Sequence, residues 1–404
     1  MTDEIAFVLS NPRHHAEILL PVVRRLLADG HRCRVVSLAE FRGFVTPAWP
    51  DLPAGTVVRV LPWHLRKNPS LGADSELIGP GTSSRRRLQG LIWAAGLGPR
   101  LAWLLRRARA VVVPNDAAFP YGHLATAISG MNVPLVLVQE GIRFPLPGER
   151  GGEAYGLGGA RVVCTWGEGS AEHFRRIGVP AGRVVVTGNP RFDQLRIDEH
   201  AAAGEALLAR YQLPARPLLY LSNPIDDMGY GSTADKMALF ARFLGAAAAA
   251  LSSVGAPLLV KLHPREDVEA YRRVVATTAL PTPLQVVVAD RDVGLFPLLA
   301  IGRAAVVLAS TVGLEAMVFG LPVGVLALPG HGHVFEYVQR GAAVGIPDEL
   351  EAASAALRRL LGVGPGASAQ GGSASRFVER HLAHRGQAAA HVARVILGTC
   401  PGPM

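Results

Sequence analysis

Ser310 and Thr311 close the apolar run AAVVLA, and Glu315 follows within the next helical turn. A strand that turns directly into a helix aims unpaired backbone N–H groups, and the positive end of the helix dipole, at whatever sits above the sheet. Small hydroxyl residues let a diphosphate approach that backbone, and a carboxylate one turn later can reach ribose hydroxyls. The same residues also suit an ordinary turn in which Ser or Thr caps the helix. Lys261 and His263, in VKLHPRED, end a second apolar run. Pro264 favours extended backbone at His263, which sends the imidazole off the strand end. There His263 or Lys261, in cationic form, can meet the charge of a departing phosphate. Ser222 and Asn223 end a third run, PLLYL.

The first half offers groups for proton transfer. His14 and His15 open the first helix after IAFVLSNPR, and His15 is the preferred general base near neutral pH. Asp116 follows AVVVPN. Glu140 follows PLVLVQ and precedes Gly141, a position for an acid, a base or an acceptor-binding group; pairing with Arg143 is the structural alternative. His331 and His333, in PGHGHVF, have a two-ligand spacing, but no third ligand completes a shell. They are expected to be loop residues closing over a ligand, and no metal or other bound cofactor is expected.

These groups need strand ends to hold them, and strand and helix signals alternate along the whole chain. IAFVLS, RCRVVSL, AVVVP, PLVLVQ, RVVCTW and RVVVTG read as buried strands of a first α/β domain, residues 1–193. Its clearest helix runs from Ala16 to Asp29, with Ile18, Leu19, Val22, Val23, Leu26 and Leu27 on one face and Gly30 as its stop. A polar helical linker is expected over 194–214. PLLYLS, PLLVKL, LQVVVA, AAVVLA and LPVGVLAL then build a second domain, 215–375, which ends in the Gly/Ser-rich stretch 362–375. A final helix, within 376–404, packs back on the first domain. The expected fold is α/β: two Rossmann-like, doubly wound domains facing across a cleft, with ligands at the C-terminal ends of the strands.

The bulk properties narrow the partners. The chain has 404 residues and a net charge of +9, much of it arginine: Arg85, Arg86, Arg87, Arg100, Arg106, Arg107 and Arg109 crowd one region. Such a patch suits phosphates, an anionic acceptor or peripheral contact with a membrane, or it is a solvated helix face. No nucleic-acid motif accompanies it, so nucleic acid is not an expected partner. The apolar stretch from Leu88 to Leu105 is interrupted by Pro99 and Arg100 and is too broken to span a bilayer. Cys33, Cys164 and Cys400 form neither a metal spacing nor a disulfide framework, which suits a reducing cytoplasm. The acidic start MTDEIAF reads as a first strand and not as a signal peptide.

Taken in order, these residues resemble the GT-B superfamily of nucleotide-sugar enzymes, in particular UDP-N-acetylglucosamine 2-epimerases and capsule-type glycosyltransferases. The likeness covers roughly residues 5–328. VPLVLVQEGIRF resembles the epimerase segment V-E-A-G-L-R, and RVVVTGNPRFDQL is similar to V-T-G-N-x-x-x-D-x-L. STVGLEAMVFGLPV resembles the donor-binding stretch that ends in G-x-P, and VKLHPRED the H-P motif of capsule and sialic-acid polymer transferases. The departures separate the branches. Where epimerases carry H-R-x-E-N, this chain has Ser222-Asn223-Pro224. Gln139 stands at their V-E-A-G glutamate, with Glu140 one position late, and their paired glutamates reduce to Glu315.

The resemblance implies a metal-independent glycosyltransferase that moves a sugar from a nucleotide-sugar co-substrate to an acceptor on a polysaccharide, lipid carrier or natural product. The second domain would bind the donor through Ser222, Asn223, Lys261, His263, Ser310, Thr311 and Glu315. The first would hold the acceptor over His15, Asp116 and Glu140, one of which removes its proton. Inversion is the preferred outcome, because retention would not need that base. An epimerase or hydrolase ranks second, and a non-catalytic binding protein third. Donor base, sugar, acceptor and oligomeric state stay open, a homodimer included.

Overall fold

The computed structural model describes residues 4–62, 83–131, 133–141, 155–193, 195–363 and 371–400. The chain divides into two compact units, one reaching to Leu195 and resuming at Arg380, the other spanning Arg196–Glu379.

The first unit runs β1 (Glu4–Leu9), α1 (His14–Ala28), β2 (Arg32–Ser37), β3 (Val57–Arg59), α2 (Ser83–Ile92), α3 (Gly98–Leu105), β4 (Ala108–Val113), α4 (Tyr121–Ser129), β5 (Leu135–Val138), β6 (Val162–Thr165), α5 (Glu168–Arg176) and β7 (Val184–Val186). Its seven strands form one parallel sheet in the order β3-β2-β1-β4-β5-β6-β7. A strand covered by helices on both faces is apolar along nearly its whole length, and β1 is apolar from Ile5 to Leu9. Ile5, Phe7 and Leu9 pack with Ile18, Leu19, Val22 and Leu26 of α1 on one face. Ala6 and Val8 join Leu101, Tyr121 and Leu124 on the other.

The second unit runs α6 (Ile197–Arg210), β8 (Leu218–Leu221), α7 (Thr233–Leu251), β9 (Leu258–Lys261), α8 (Val268–Thr277), β10 (Val286–Val288), α9 (Leu295–Ile301), β11 (Ala304–Val307), α10 (Val312–Val318), β12 (Val323–Leu326), β13 (Val344–Ile346), α11 (Leu350–Leu360) and α12 (Gly371–His381), the last crossing into the first unit. Its six strands are parallel in the order β10-β9-β8-β11-β12-β13. In both sheets the chain reverses its winding once, between β1 and β4 and between β8 and β11. Loops part at such a switch point and leave the strand ends open to a ligand.

Several expectations change. The helix expected as a linker is α6, and it belongs to the second unit: His200 lies against Phe296 of α9, with ring centroids 5.3 Å apart. Gly204 makes that packing close, since a Cβ there would meet Ile301 Cγ2 at 2.5 Å and the Pro297 carbonyl at 2.6 Å. The single helix expected at the C-terminus is two, α12 and α13 (Ala388–Thr399), and α13 lays Val392, Ala393 and Ile396 into the same core layer as α1. The short strands β3 and β13 carry too little apolar sequence to be read in advance. Residues 364–370 of the Gly/Ser-rich stretch, Ile142 and Arg143 lie outside the described residues. Among those described, no helix is long and apolar enough to cross a membrane, and Cys33 and Cys164 are buried free thiols.

Candidate active site at the two switch points

At the switch point of the first unit, the loops after β1, β4 and β5 meet. Asn11 accepts the N–H groups of Arg13 and His14 on its amide oxygen, at 2.9 and 3.0 Å, which caps α1 and fixes its first turn. That turn carries His15, which is fully buried. Its Nδ1 accepts the backbone N–H groups of Ser10 and Asn11, both at 3.2 Å, so the ring proton must sit on Nε2. From there it is donated to Glu140 Oε2 at 2.9 Å. Asn115 donates to the other carboxylate oxygen at 2.8 Å, while its own amide oxygen takes the N–H groups of Ala117 and Ala118. Glu140 keeps 16% of its side chain exposed and is the member of the group that reaches solvent. Burial pushes its carboxyl up, but the hydrogen bonds from His15 and Asn115 and the nearby His14 outweigh that and hold it well below the usual carboxylate range.

Two tyrosines complete the frame. Tyr155 donates its hydroxyl to the Pro114 carbonyl at 3.1 Å and accepts the Glu140 N–H at 2.8 Å, tying the ends of β4 and β5 together. The Tyr121 hydroxyl lies 3.3 Å from His15 Nδ1. Asp116 is spent differently. It is fully buried, and its two carboxylate oxygens accept the N–H groups of Gly156 and Gly158 at 2.7 and 2.9 Å. Gly158 approaches so closely that a Cβ there would fall 1.9 Å from the Asp116 carbonyl oxygen. Asp116 therefore pins a loop, which corrects the expectation of a proton-transfer group. Gln139 is pinned too: it donates to Ser170 and the Gly141 carbonyl and accepts from Trp166. Neighbours along an extended chain point to opposite sides, so a buried Gln139 turns Glu140 towards His15.

In the second unit the register sets the ends of the central strands level, with Leu221 beside both Lys261 and Val307. Ser222, Asn223, Lys261, His263, Ser310, Thr311 and Glu315 thus lie at three adjacent strand ends. Burial first, then the charges of Arg265, Lys236 and Lys261, push the His263 imidazole down to about 4. It is neutral near pH 7, which leaves Lys261 as the cation of the two expected. Because Nδ1 accepts the Arg265 N–H at 3.3 Å, Nε2 carries the proton. Lys261 is also held below its usual value, chiefly by burial. The Ser310 hydroxyl accepts the N–H of Val312, the first residue of a helix of only seven, at 3.2 Å, while Thr311 at its N-cap makes no side-chain capping bond. The dipole of so short a helix adds little.

Behind this row lies a buried charged group that the sequence did not announce. Glu266 accepts the Tyr271 hydroxyl at 2.6 Å, the Ser222 hydroxyl, and the His263 N–H at 3.1 Å, and Lys236 Nζ lies 3.3 Å from it and 2.8 Å from Asp226. Glu266 so fixes both the HP turn and the end of β8. His331 sits edge-on to Tyr230 at 5.2 Å, and the His333 ring lies under Gly345.

A family model described as capsule polysaccharide biosynthesis protein matches residues 226–332. No curated protein matches the sequence. Solved structures match along nearly the whole chain. UDP-GlcNAc 2-epimerase of Methanocaldococcus jannaschii, in complex with UDP-GlcNAc and UDP, is 15% identical with a TM-score of 0.61, covering 98% of this chain and 99% of its own. A glycosyltransferase of Rickettsia africae is 12% identical with a TM-score of 0.54, covering 98% and 99%. Anabaena HepE in complex with UDP is 13% identical with a TM-score of 0.57, covering 98% and 100%. Such identities speak for architecture.

The fold is GT-B.

Within each GT-B unit the site residues named from sequence fall at strand ends around the switch point, apart from Asp116, whose carboxylate is turned into a loop. Asn115 escaped notice because charge favoured its neighbour, although the strand-end rule marks both. Glu266, three residues beyond His263, has the spacing of a turn-closing carboxylate. Tyr155 had no local signal, because only the sheet brings it beside Glu140.

Proposed function

We propose that this GT-B protein is a glycosyltransferase that takes its sugar from a nucleotide-sugar donor. The observation that carries the reading is a single solvent-reaching carboxylate, Glu140, held ionised by His15 and Asn115. An acceptor hydroxyl gives its proton to Glu140 as its oxygen bonds to the anomeric carbon. The bond from that carbon to the phosphate oxygen breaks, and the electron pair leaves with the nucleotide. A weakly basic carboxylate suffices, because a hydroxyl attacking an oxocarbenium-like centre becomes strongly acidic; carboxylate bases serve the same step in inverting glycosidases.

On the second unit, Lys261 supplies positive charge and His263 a neutral Nε2–H donor for the departing phosphate. Thr311 and Glu315 stand beside the switch point for phosphate and ribose. Asn223 Oδ1, a buried acceptor with no partner among the described residues, offers a place for a ligand N–H or O–H. Ser222 and Ser310, whose hydroxyls are engaged, shape this row through their backbone. Metal independence and inversion belong to the same proposal, as does an acceptor in polysaccharide or related biosynthesis.

The epimerase reading draws on the fold shared with UDP-GlcNAc 2-epimerases. It asks more of the site, since elimination and re-addition at a sugar carbon need acid and base groups on both faces, and Asp116 is not free to serve. A panel of UDP-, GDP-, dTDP- and CMP-sugars, each beside its free nucleotide, separates the readings by thermal shift and nucleotide release. Stabilisation by one nucleotide with little turnover until acceptor is added supports the transferase. Rapid release of UDP from UDP-N-acetylglucosamine without acceptor overturns it in favour of the epimerase or hydrolase.

A further inference from the structure

The first unit carries an exposed apolar row that its own core leaves out. In the stretch from α2 through a wide π-helical turn (Trp93–Leu97) to α3, Leu97, Leu101, Leu104 and Leu105 face the core. Leu88, Leu91 and Trp103 do not; they are 57%, 66% and 60% exposed. Ala95 and Pro99 are exposed between them, so the positions 88, 91, 95, 99 and 103 follow one another at the spacing of a single helix side. Exposed arginines flank this row at 87, 100, 106 and 107, and the Arg106 guanidinium stacks 4.8 Å over the Trp103 ring. No Asp or Glu occurs anywhere in residues 77–115.

We propose that this face docks on an anionic lipid surface, with Leu88, Leu91 and Trp103 entering the headgroup boundary and the arginines meeting lipid phosphates. A helix that lies in a membrane interface needs an apolar row and a basic flank together, and an indole prefers that interface. Charge complementarity selects the occupant. A second copy of the chain related by a two-fold axis would set the same arginines against one another, whereas acidic lipids attract them, each near-surface arginine raising partition about fivefold. The inference stands independently of the reaction proposed above.

The test uses the full chain in co-sedimentation with vesicles of phosphatidylcholine alone and of phosphatidylcholine mixed with phosphatidylglycerol. Binding is expected only to the mixed vesicles, and it should weaken as salt rises. The pairs Leu91→Ser with Trp103→Ser, and Arg100→Glu with Arg106→Glu, should each lower it by about tenfold or more. Leu350→Ser, at an exposed leucine on the second unit, should leave it unchanged. The arginine pair keeps the test alive if the apolar pair fails to fold, which thermal melting checks. Equal binding to neutral vesicles, no binding to either, or binding unaffected by both pairs overturns the proposal. So does a concentration-dependent dimer that the apolar pair dissolves while vesicles are ignored.

Discussion

Glu140 and His15 divide the work unequally, because His15 is sealed from solvent with backbone N–H groups on its only free lone pair. Its role is to orient Glu140 and to hold it ionised. Glu140→Gln should therefore cut kcat by about 10²–10⁴ with donor KM little changed, while His15→Gln, which keeps a side-chain donor, should lose less than His15→Ala. With its carboxyl held low, Glu140 stays ionised, so kcat/KM should be flat from about pH 8 down to about pH 5. A fall in kcat/KM as pH drops through 6 to 7 would instead hand the proton to a histidine. His263 gives a second pH signature, in stability. Its pKa is depressed in the folded chain to about 4, so its contribution is complete above the unfolded value near 6.5 and is lost as pH falls between the two. Urea unfolding at pH 7.5 and 4.5 should show a loss of about 1–3 kcal/mol that His263→Gln lacks. Residue types at strand ends were legible in the sequence; their charge states were not, since burial and neighbours across the sheet decide those.

The elements were legible in proportion to their apolar length. Val- and Leu-rich strands such as β1, β4 and β11 declare themselves, because both faces are covered and nearly every position is apolar. Three-residue strands such as β3 and β13 carry no such pattern, and pairing at the sheet margin decides them. The misplacement of α6 is more instructive. Only Gly204 is buried along its length, and its alanines and scattered charges form no strong apolar face, so its sequence reads as a free helix. The contact with α9 rests on the absence of a side chain, which no hydrophobic periodicity reveals. That makes a sharp prediction. Alanine in place of glycine inside a helix ordinarily gains about 1 kcal/mol. Here the new Cβ meets a backbone carbonyl that cannot swing away, so Gly204→Ala should instead destabilise the second unit by about 1–2 kcal/mol, measured by urea unfolding.

At the scale of the whole molecule, the chain leaves its first unit at residue 195 and returns to it only after the second is complete. Asp193 marks the return, accepting the N–H groups of Ala388 and Ala389 at 2.9 and 2.6 Å and so capping α13. α13 then buries Val392, Ala393 and Ile396 against the layer built by α1. Contacts between chain ends so far apart cost loop-closure entropy that must be repaid by apolar burial. The first unit's stability should thus depend on α13. The four described tryptophans, Trp49, Trp93, Trp103 and Trp166, lie in the first unit and the sequence of the second carries none, so tryptophan fluorescence follows the first unit while far-ultraviolet dichroism follows both. Ile396→Ala removes a fully buried side chain and should cost the first unit about 2–5 kcal/mol. The fluorescence midpoint in urea should then fall well below its wild-type value, with the dichroism resolving a second transition that does not move. A shift of both transitions by the same amount would mean that the two units unfold as one, and that α13 supports the whole chain.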